Sequence, residues 1–229
     1  MDKYSILKQY YGHSAFRAGQ EALIDAILSG RDALCVMPTG GGKSLCYQIP
    51  ALLLPGITLV VSPLISLMKD QVAALKSAGV PAAYINSSLT GEQIRTVYAR
   101  TRKGAYKLIY VAPERLETNS FLSLMQEMDV SFLAVDEAHC ISQWGQDFRP
   151  SYLGIVDFIN ALPRRPIVAA YTATATKQVQ SNILRLLQLQ SPYRIVTGFD
   201  RPNLYFDVRR PKNKFSALAA LIDERRGRS

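Results

Sequence analysis

A glycine-rich turn near the N-terminus has residue types that suit the binding of a polyphosphate. Residues 37–47 read Met-Pro-Thr-Gly-Gly-Gly-Lys-Ser-Leu-Cys-Tyr, directly after an apolar run at 33–36. Backbone N–H groups of such a turn can surround phosphate oxygens, with Lys43 as a cation and the Ser44 hydroxyl on Mg²⁺. A helix that begins at Ser44 would point its free N–H groups at the same anion. Three consecutive glycines favour this interpretation over a plain turn with an exposed lysine, because they are costly unless the backbone needs positive φ or a close approach.

Two adjacent carboxylates, Asp136 and Glu137, end a second apolar run at 132–135. One carboxylate can join the shell of a metal ion, while the other polarises a water for in-line attack on a phosphoryl group. The alternative is an acidic pair that only begins a helix, although unpaired carboxylates at the end of a buried strand are costly. Together with the glycine-rich turn, the pair predicts a nucleoside triphosphatase whose Mg²⁺ is held by Ser44 and Asp136.

Composition restricts the class of protein and the kind of partner. The 229 residues are 48% hydrophobic, no apolar run approaches the ~20 residues of a membrane span, and the first residues do not read as a secretory signal. The three cysteines lack C-x-x-C spacing, which favours buried thiols in a reducing cytoplasm over disulfides or zinc. A net charge of +9 favours a polyanionic partner, although a basic segment can also be merely solvated.

Strands alternate with helices along the chain, which predicts an α/β fold with a mostly parallel central sheet and helices on both faces. A helix is expected at Gln20–Leu28. A second should follow Ser62 as its cap, with an apolar stripe of Leu64, Leu67, Met68, Val72 and Leu75. The predicted strands are Ala33–Met37, Thr58–Ser62, Ala82–Ile85, Lys107–Ala112, Phe132–Asp136, Ile167–Thr172 and Arg194–Gly198.

Several polar motifs follow these strands directly, and the carboxyl ends of parallel strands share one edge of a sheet, where ligands bind. We therefore expect one active-site rim there. Residues 1–198 are predicted to form this domain. After Gly198 the sequence predicts a linker, a strand at Tyr205–Val208 and a helix at Lys214–Arg225, too little to bury a core. We expect residues 199–229 to be the linker and the truncated start of a second domain.

The chain resembles the RecQ family of superfamily 2 helicases over nearly its whole length. The most specific segment is 136–150, Asp-Glu-Ala-His-Cys-Ile-Ser-Gln-Trp-Gly-Gln-Asp-Phe-Arg-Pro, in which an acidic box leads into an aromatic loop. Other segments similar to family motifs are Phe16–Gln20 (adenine recognition), Met37–Leu52 (phosphate loop), Val61–Gln71 and Ala112–Leu116 (single-strand contact) and Tyr171–Ala175 (coupling of ATP state to movement). The chain departs from the common family pattern at His13, Ala18, Met37 and Gln146.

The resemblance implies a RecA-like P-loop domain that binds ATP and Mg²⁺. The implied catalytic residues are Lys43, Ser44, Asp136, Glu137 and His139. The implied nucleotide-binding residues are Arg17, Gln20, Thr39, Gly40, Gly41, Gly42, Lys43 and Ser44. The amide of Gln20 also matches the N6 and N7 edge of adenine, against the alternative that it is an ordinary surface residue. His139 is expected to link the hydrolysis site to the DNA loop rather than to act as a catalyst; a purely structural histidine remains open.

Trp144, Phe148 and Arg149 are expected to contact single-stranded DNA, because exposed rings can stack on bases; the alternative is a loop folded under onto the domain. Thr172 and Thr174 are expected either to bond back to the acidic box or to cap a turn. The family implies an ATP-dependent 3′–5′ DNA helicase of DNA repair and recombination, in the cytoplasm of a bacterium near the nucleoid, acting on single-stranded and partly duplex DNA. Alternatives are a nucleotide-gated DNA-binding module with little turnover and an RNA-remodelling ATPase, which the aromatic loop argues against.

Overall fold

The computed structural model describes residues 1–145, 147–198 and 207–226. The chain separates into two compact units, Met1–Gly198 and Phe199–Ser229. Gln146 lies outside the described residues, and the strand predicted at Tyr205–Val208 begins outside them. Asp207 and Val208, which are described, are not in a strand.

The first unit is built on one sheet of seven parallel strands, in the order β3-β4-β2-β5-β6-β1-β7. The predicted strands are confirmed, with ends within two residues of those expected, because apolar runs of this length are typical of strands buried on both faces. The strands are β1 Ala33–Val36, β2 Ile57–Val61, β3 Ala82–Ile85, β4 Leu108–Val111, β5 Val130–Val135, β6 Ile167–Thr172 and β7 Tyr193–Val196.

Helices cover both faces of the sheet, as predicted, and divide the core into two parts. Along β1, Leu34 and Val36 join the core on one face, while Ala33 and Cys35 join the core on the other. Helices of the first unit are α1 Lys3–Tyr11, α2 Gln20–Leu28, α3 Lys43–Leu53, α4 Ile65–Ser77, α5 Gly91–Arg102, α6 Pro113–Leu116, α7 Asn119–Glu127, α8 Gly154–Ala161 and α9 Lys177–Leu186. Short 3-10 helices lie at Ala138–Ile141 and Pro150–Tyr152.

Helix α4 begins two residues later than its sequence suggests. The Ser62 hydroxyl accepts a hydrogen bond from the backbone N–H of Leu64 at 2.8 Å, which closes a turn before the helix rather than capping it. The apolar stripe is correspondingly shorter. Its buried members are Met68, Val72 and Leu75, whereas Leu64 is exposed and Leu67 is half-buried.

The second unit contains α10, Lys214–Glu224, which ends one residue before the predicted end. The Asn213 side chain caps it by accepting a hydrogen bond from the backbone N–H of Ser216 at 3.1 Å. None of the described residues of this helix is buried. Of all the helices described in the two units, none has both the length and the apolar character needed to cross a membrane.

Candidate active site

A cavity of about 390 Å³ opens at the carboxyl edge of the sheet and collects segments that are far apart in the sequence. The loop between β1 and α3 forms one wall, and the two carboxylates that follow β5 form another. Residues just before and at the start of α2 complete it. The predicted site residues that line this cavity are Arg17, Gln20, Thr39, Gly40, Gly42, Lys43, Ser44, Asp136 and Glu137.

Each glycine of the phosphate loop has its own structural reason. Gly40 and Gly42 have φ of 79° and 83°, in the left-handed region that favours glycine. Gly41, which does not line the cavity, is held by close approach instead, because a Cβ there would lie 2.6 Å from Cγ of Met37. Positive φ and close approach, the two reasons that offset the entropic cost of glycine, are therefore both present in this loop.

The phosphate loop leads directly into α3, which begins at Lys43, one residue earlier than predicted. The Lys43 ammonium group donates a hydrogen bond to the Met37 carbonyl at 3.1 Å, so the cation lies within the curve of the loop. The first backbone N–H groups of α3 point into the same region, where helix geometry concentrates positive potential. The Ser44 hydroxyl shares the cavity with these groups.

Gln20 is buried and holds the phosphate loop in place. Its Nε2 donates to the carbonyls of Gly41 and Gly42, each at 3.2 Å, and its Oε1 accepts from the backbone N–H of Arg17 at 2.9 Å. Arg17 in turn donates to the Gly40 carbonyl at 2.5 Å. The interpretation of Gln20 as an ordinary surface residue is therefore wrong. Recognition of adenine by its amide stays a prediction.

Asp136 is a carboxylate in a nearly dry environment, only 6% exposed. Burial, and to a lesser extent the neighbouring charge of Glu137, raise the pKa of Asp136 to about 6. Its Oδ1 accepts from the backbone N–H of Glu137 at 3.0 Å. The Tyr152 hydroxyl fixes the backbone beneath it by donating to the Asp136 carbonyl at 2.9 Å.

Glu137 has a backbone conformation that L residues rarely adopt, with φ of 46°. Such outliers are costly and concentrate at functional sites. The hydrogen bond with His139 lowers the pKa of Glu137 below its ordinary value, against the effect of burial. Contacts with the Cys140 sulfur and with Glu137 raise the pKa of His139 well above its ordinary value.

His139 joins the acidic pair to the end of the neighbouring strand β6. Its Nδ1 lies 3.0 Å from Oγ1 of Thr172 and 3.3 Å from Oε2 of Glu137. The Thr172 hydroxyl donates its proton to the Thr174 carbonyl at 3.0 Å, so the Thr172 oxygen must accept from a protonated Nδ1 of His139. Thr172 therefore bonds to the acidic box, whereas Thr174 takes part through its backbone and has an exposed side chain.

The loop after the acidic box exposes its tryptophan. Trp144 is 70% exposed, so the interpretation of this ring as a core residue is wrong. Phe148 and Arg149 are half-buried, and the Arg149 guanidinium pairs with the Asp147 carboxylate at 2.9 Å. The ring of Trp144 is thus free to meet a partner, while Arg149 already has an acidic one.

Sequence reasoning missed residues that attach this loop to the rest of the site. Gly145 lies so close to the backbone of His139 that a Cβ at this position would be 2.3 Å from the His139 carbonyl oxygen. Ser142 is fully buried, and its hydroxyl accepts from Nδ2 of Asn182 at 3.0 Å and from the backbone N–H of Trp144 at 3.3 Å. An isolated Gly, Ser and Asn carry no local signal of such long-range contacts.

Comparison with known proteins agrees with this arrangement. Residues 17–182 match the family model of the DEAD/DEAH box helicases. The chain is 50% identical to the ATP-dependent DNA helicase RecQ of Bacillus subtilis over 211 residues, which cover 92% of this chain and 36% of the relative. It is 48% identical to the protein of the same name from Haemophilus influenzae, over 98% of this chain and 36% of the relative. The chain thus spans about a third of the length of these relatives.

Solved helicase structures share the fold at low sequence identity. The helicase MrfA bound to DNA superposes with a TM-score of 0.68 and 16% identity, covering 86% of this chain and 28% of that chain. The Hef helicase domain of Pyrococcus furiosus gives a TM-score of 0.61 and 21% identity, covering 79% of this chain and 38% of that chain. The predicted RecA-like fold is confirmed. The chain belongs to the DEAD/DEAH box helicase family, within which it resembles the bacterial RecQ helicases.

Proposed function

We propose that this chain is the ATP-binding lobe of an ATP-dependent DNA helicase. The lobe would couple ATP hydrolysis to 3′–5′ movement on single-stranded DNA and to duplex unwinding in repair and recombination. The observation that carries the proposal is the cavity that brings the phosphate loop and the acidic pair together. The names of the relatives from Bacillus subtilis and Haemophilus influenzae support DNA as the substrate.

The nucleotide would lie with its phosphates against the loop 39–44. The N–H groups of the loop and the start of α3 surround phosphate oxygens, and Lys43 would exchange its bond to the Met37 carbonyl for the β- and γ-phosphates. Arg17 and Gln20 line the same cavity and would contact the adenine, while His13, also in the lining, offers a ring for stacking.

A magnesium ion fits the pair Ser44 and Asp136. A hydroxyl and a carboxylate are the hard oxygen ligands that Mg²⁺ prefers, and both line the cavity. The raised pKa of Asp136 reflects burial and the nearby negative charge of Glu137, both of which a divalent cation would offset. When bound, the ion would neutralise charge on the phosphates and help to orient them.

Glu137 would act on the attacking water. Its lowered pKa keeps the carboxylate ionised at neutral pH, so it can accept a hydrogen bond from the water and hold it in line with the phosphorus. Nδ1 of His139 contacts both Glu137 and Thr172, which suits a residue that positions the carboxylate rather than one that touches the substrate.

DNA would reach the site through the aromatic loop. Trp144 is exposed and can stack on a base, which is worth roughly 1–3 kcal/mol per base. Because Gly145 lies against His139, a movement of Trp144 would be passed to the acidic box. We propose single-stranded and partly duplex DNA as the partner, with Phe148 and Arg149 at the margin of the contact, and hence a cytoplasmic location near the nucleoid.

The proposed function also implies a domain organisation for the chain. Residues 1–198 would be the ATP-binding lobe, and residues 199–229 the linker and the start of a second RecA-like lobe. Efficient hydrolysis in superfamily 2 enzymes uses groups from both lobes. The runner-up function is therefore a nucleotide-gated single-stranded DNA-binding module with little turnover when the chain acts by itself.

The test is ATP hydrolysis by this chain and by the full-length protein, each with single-stranded DNA, single-stranded RNA or no nucleic acid. If the chain is a helicase lobe, single-stranded DNA should stimulate ATP hydrolysis by the full-length protein. Equal stimulation by RNA would favour an RNA-remodelling ATPase. DNA binding that depends on ATP, without appreciable hydrolysis in either protein, would favour the nucleotide-gated module.

A further inference from the structure

Buried polar side chains lie beneath the phosphate loop and connect it to helix α4. Gln48 on α3 is only 4% exposed, and its Nε2 donates to Oε1 of Gln71 at 2.9 Å and to the Tyr110 hydroxyl at 3.0 Å. Gln71 belongs to α4 and Tyr110 to β4. The two protons of one amide nitrogen therefore bind two different elements of the fold.

Tyr47 extends these contacts to the phosphate loop. Its side chain is buried, and its hydroxyl interacts with the side chains of Ser44 and Tyr110. Its ring packs edge-on against Tyr110, with centroids 6.4 Å apart, and against Tyr171, with centroids 5.3 Å apart. A continuous polar path thus runs from Ser44 through Tyr47, Tyr110 and Gln48 to Gln71.

The near end of this path is Ser44, which lies in the first turn of α3. Residues three apart on a helix share a face, so the Tyr47 side chain lies on the same face as Ser44, while its ring packs against Tyr110. A Ser44 hydroxyl that donates inward to Tyr47 would turn its lone pairs toward the cavity, as a ligand to a cation must. Of these five residues Ser44 lines the cavity and the other four do not, so the path reaches the cavity at Ser44.

The far end of the path is a segment that faces solvent. Helix α4 begins within Val61–Gln71, the segment that resembles a single-strand contact motif, and its residues Ser66 and Lys69 are exposed. An exposed cation and hydroxyl on one short helical segment suit a phosphodiester backbone. Gln71, less than two turns beyond Ser66, connects that surface to the buried amide of Gln48.

We propose that Tyr47, Gln48, Tyr110 and Gln71 form a relay that positions Ser44 and couples the position of α4 to the phosphate loop. The proposal rests on the proposed function, because it assumes that the site hydrolyses ATP and that α4 contacts DNA. These are positioning residues: a DNA strand that moves α4 changes the bond from Gln48 to Gln71 and thereby the orientation of Ser44.

The test compares Tyr110→Phe with Tyr98→Phe in the full-length protein. Both variants remove a buried tyrosine hydroxyl, but the Tyr98 hydroxyl has no hydrogen-bond partner in the described part of the chain. Because Tyr110 is itself buried, its loss cannot remove a direct contact with DNA. We expect Tyr110→Phe to lower the ratio of DNA-stimulated to basal ATPase about fivefold or more, the scale of a modest allosteric coupling. Tyr98→Phe should leave the ratio unchanged.

A second pair of variants tests the other end of the relay. Gln71→Leu removes the acceptor for Gln48, whereas Gln71→Glu keeps an acceptor oxygen in the same place. The ratio should fall in the first variant and be largely kept in the second. Binding gives an independent readout, because coupling is reciprocal: a non-hydrolysable ATP analogue with Mg²⁺ should change the affinity of Tyr110→Phe for single-stranded DNA less than that of wild type.

The possible results distinguish failure of the relay from failure of the proposed function. A ratio unchanged by Tyr110→Phe, in a wild-type protein that DNA does stimulate, overturns the relay and leaves the proposed function standing. The residues would have only a structural role if Tyr110→Phe lowered the basal and stimulated rates equally. In that case the ATP analogue would still change the affinity of the variant for single-stranded DNA as much as it does in wild type. If DNA does not stimulate the wild-type enzyme, the proposed function fails and the relay fails with it.

Discussion

The Nδ1 atom of His139 lies 3.0 Å from Oγ1 of Thr172, and this hydrogen bond connects the acidic box after β5 to the end of β6. The same nitrogen lies 3.3 Å from the Glu137 carboxylate. One imidazole nitrogen therefore contacts both the carboxylate proposed to act on water and the end of β6, where the predicted coupling motif lies. A movement of the segment after β6 would reach Glu137 through this one side chain.

Thr172→Val should weaken this connection without changing the volume of the side chain much. Thr172 is fully buried, so loss of its hydroxyl leaves Nδ1 of His139 with a poorer partner and costs about 1–3 kcal/mol of unfolding free energy. DNA stimulation of hydrolysis should fall as well. Thr174→Val is the matched control, because its exposed side chain should change neither stability nor stimulation. Equal behaviour of the two variants would remove the special role of Thr172.

Asp136→Asn should make the protein more stable at neutral pH. Folding raises the pKa of this carboxyl from 3.8 to about 6, so the native state holds the proton more tightly than the unfolded chain. Wild-type stability should therefore fall as pH rises from 3.8 to about 6, by up to about 3 kcal/mol, because each unit of pKa is worth about 1.4 kcal/mol.

Denaturant unfolding at about pH 4, 5, 6 and 7 measures the difference in unfolding free energy between wild type and Asp136→Asn. The stabilisation by Asp136→Asn should be largest at neutral pH and vanish at the acidic end. Mg²⁺ at neutral pH should stabilise wild type more than Asp136→Asn. A pH-independent difference would mean that the buried carboxyl does not titrate as described.

Lys43→Ala should abolish ATP hydrolysis and leave the fold intact. The ammonium group bonds the Met37 carbonyl in its own loop and is not part of the hydrophobic core, so its loss removes transition-state charge rather than packing. Loss of such an electrostatic contact costs about 100-fold or more in turnover. Lys8→Ala, at an exposed lysine of α1, is the control. Near-normal hydrolysis by a natively folded Lys43→Ala protein would refute the phosphate-loop assignment.

Glu137→Gln should separate binding from turnover. The amide is nearly isosteric with the carboxylate but cannot accept a proton, so ATP with Mg²⁺ should bind about as well while hydrolysis slows by about 10²–10⁴-fold. Equilibrium binding of a fluorescent ATP analogue and single-turnover hydrolysis measure the two effects. Weaker binding with unchanged turnover of the bound nucleotide would move Glu137 out of the role on water.

Trp144→Ala should lower DNA-stimulated hydrolysis far more than basal hydrolysis. The ring is 70% exposed, so its removal should cost little stability, while its neighbour Gly145 lies against the backbone of His139. Coupling of this type is typically about 1–3 kcal/mol, or roughly 5–150-fold. The measurement is ATPase with and without single-stranded DNA, together with thermal unfolding. Equal loss of both rates with a lower melting temperature would make Trp144 a structural residue instead.

The sequence alone was sufficient for the fold and for most, not all, of the predicted residues that line the cavity. Apolar runs such as Leu108–Val111 specify strands buried on both faces, and parallel strands bring every motif at their carboxyl ends to one edge. Lys43 and Glu137 could therefore be placed together although the sequence separates them widely. Local chemistry carried the information, because glycine and carboxylate positions directly after strands are costly without a functional reason.

Only the tertiary structure decided how these residues are held. Gln20 bonds the carbonyls of Gly41 and Gly42, His139 bonds Thr172, and Gly145 lies against His139. These contacts depend on side-chain direction and on distances between elements far apart in the chain, which neither periodicity nor composition encodes. The sequence determined which chemical groups meet at the edge of the sheet; packing of the folded chain determined which of them contact one another.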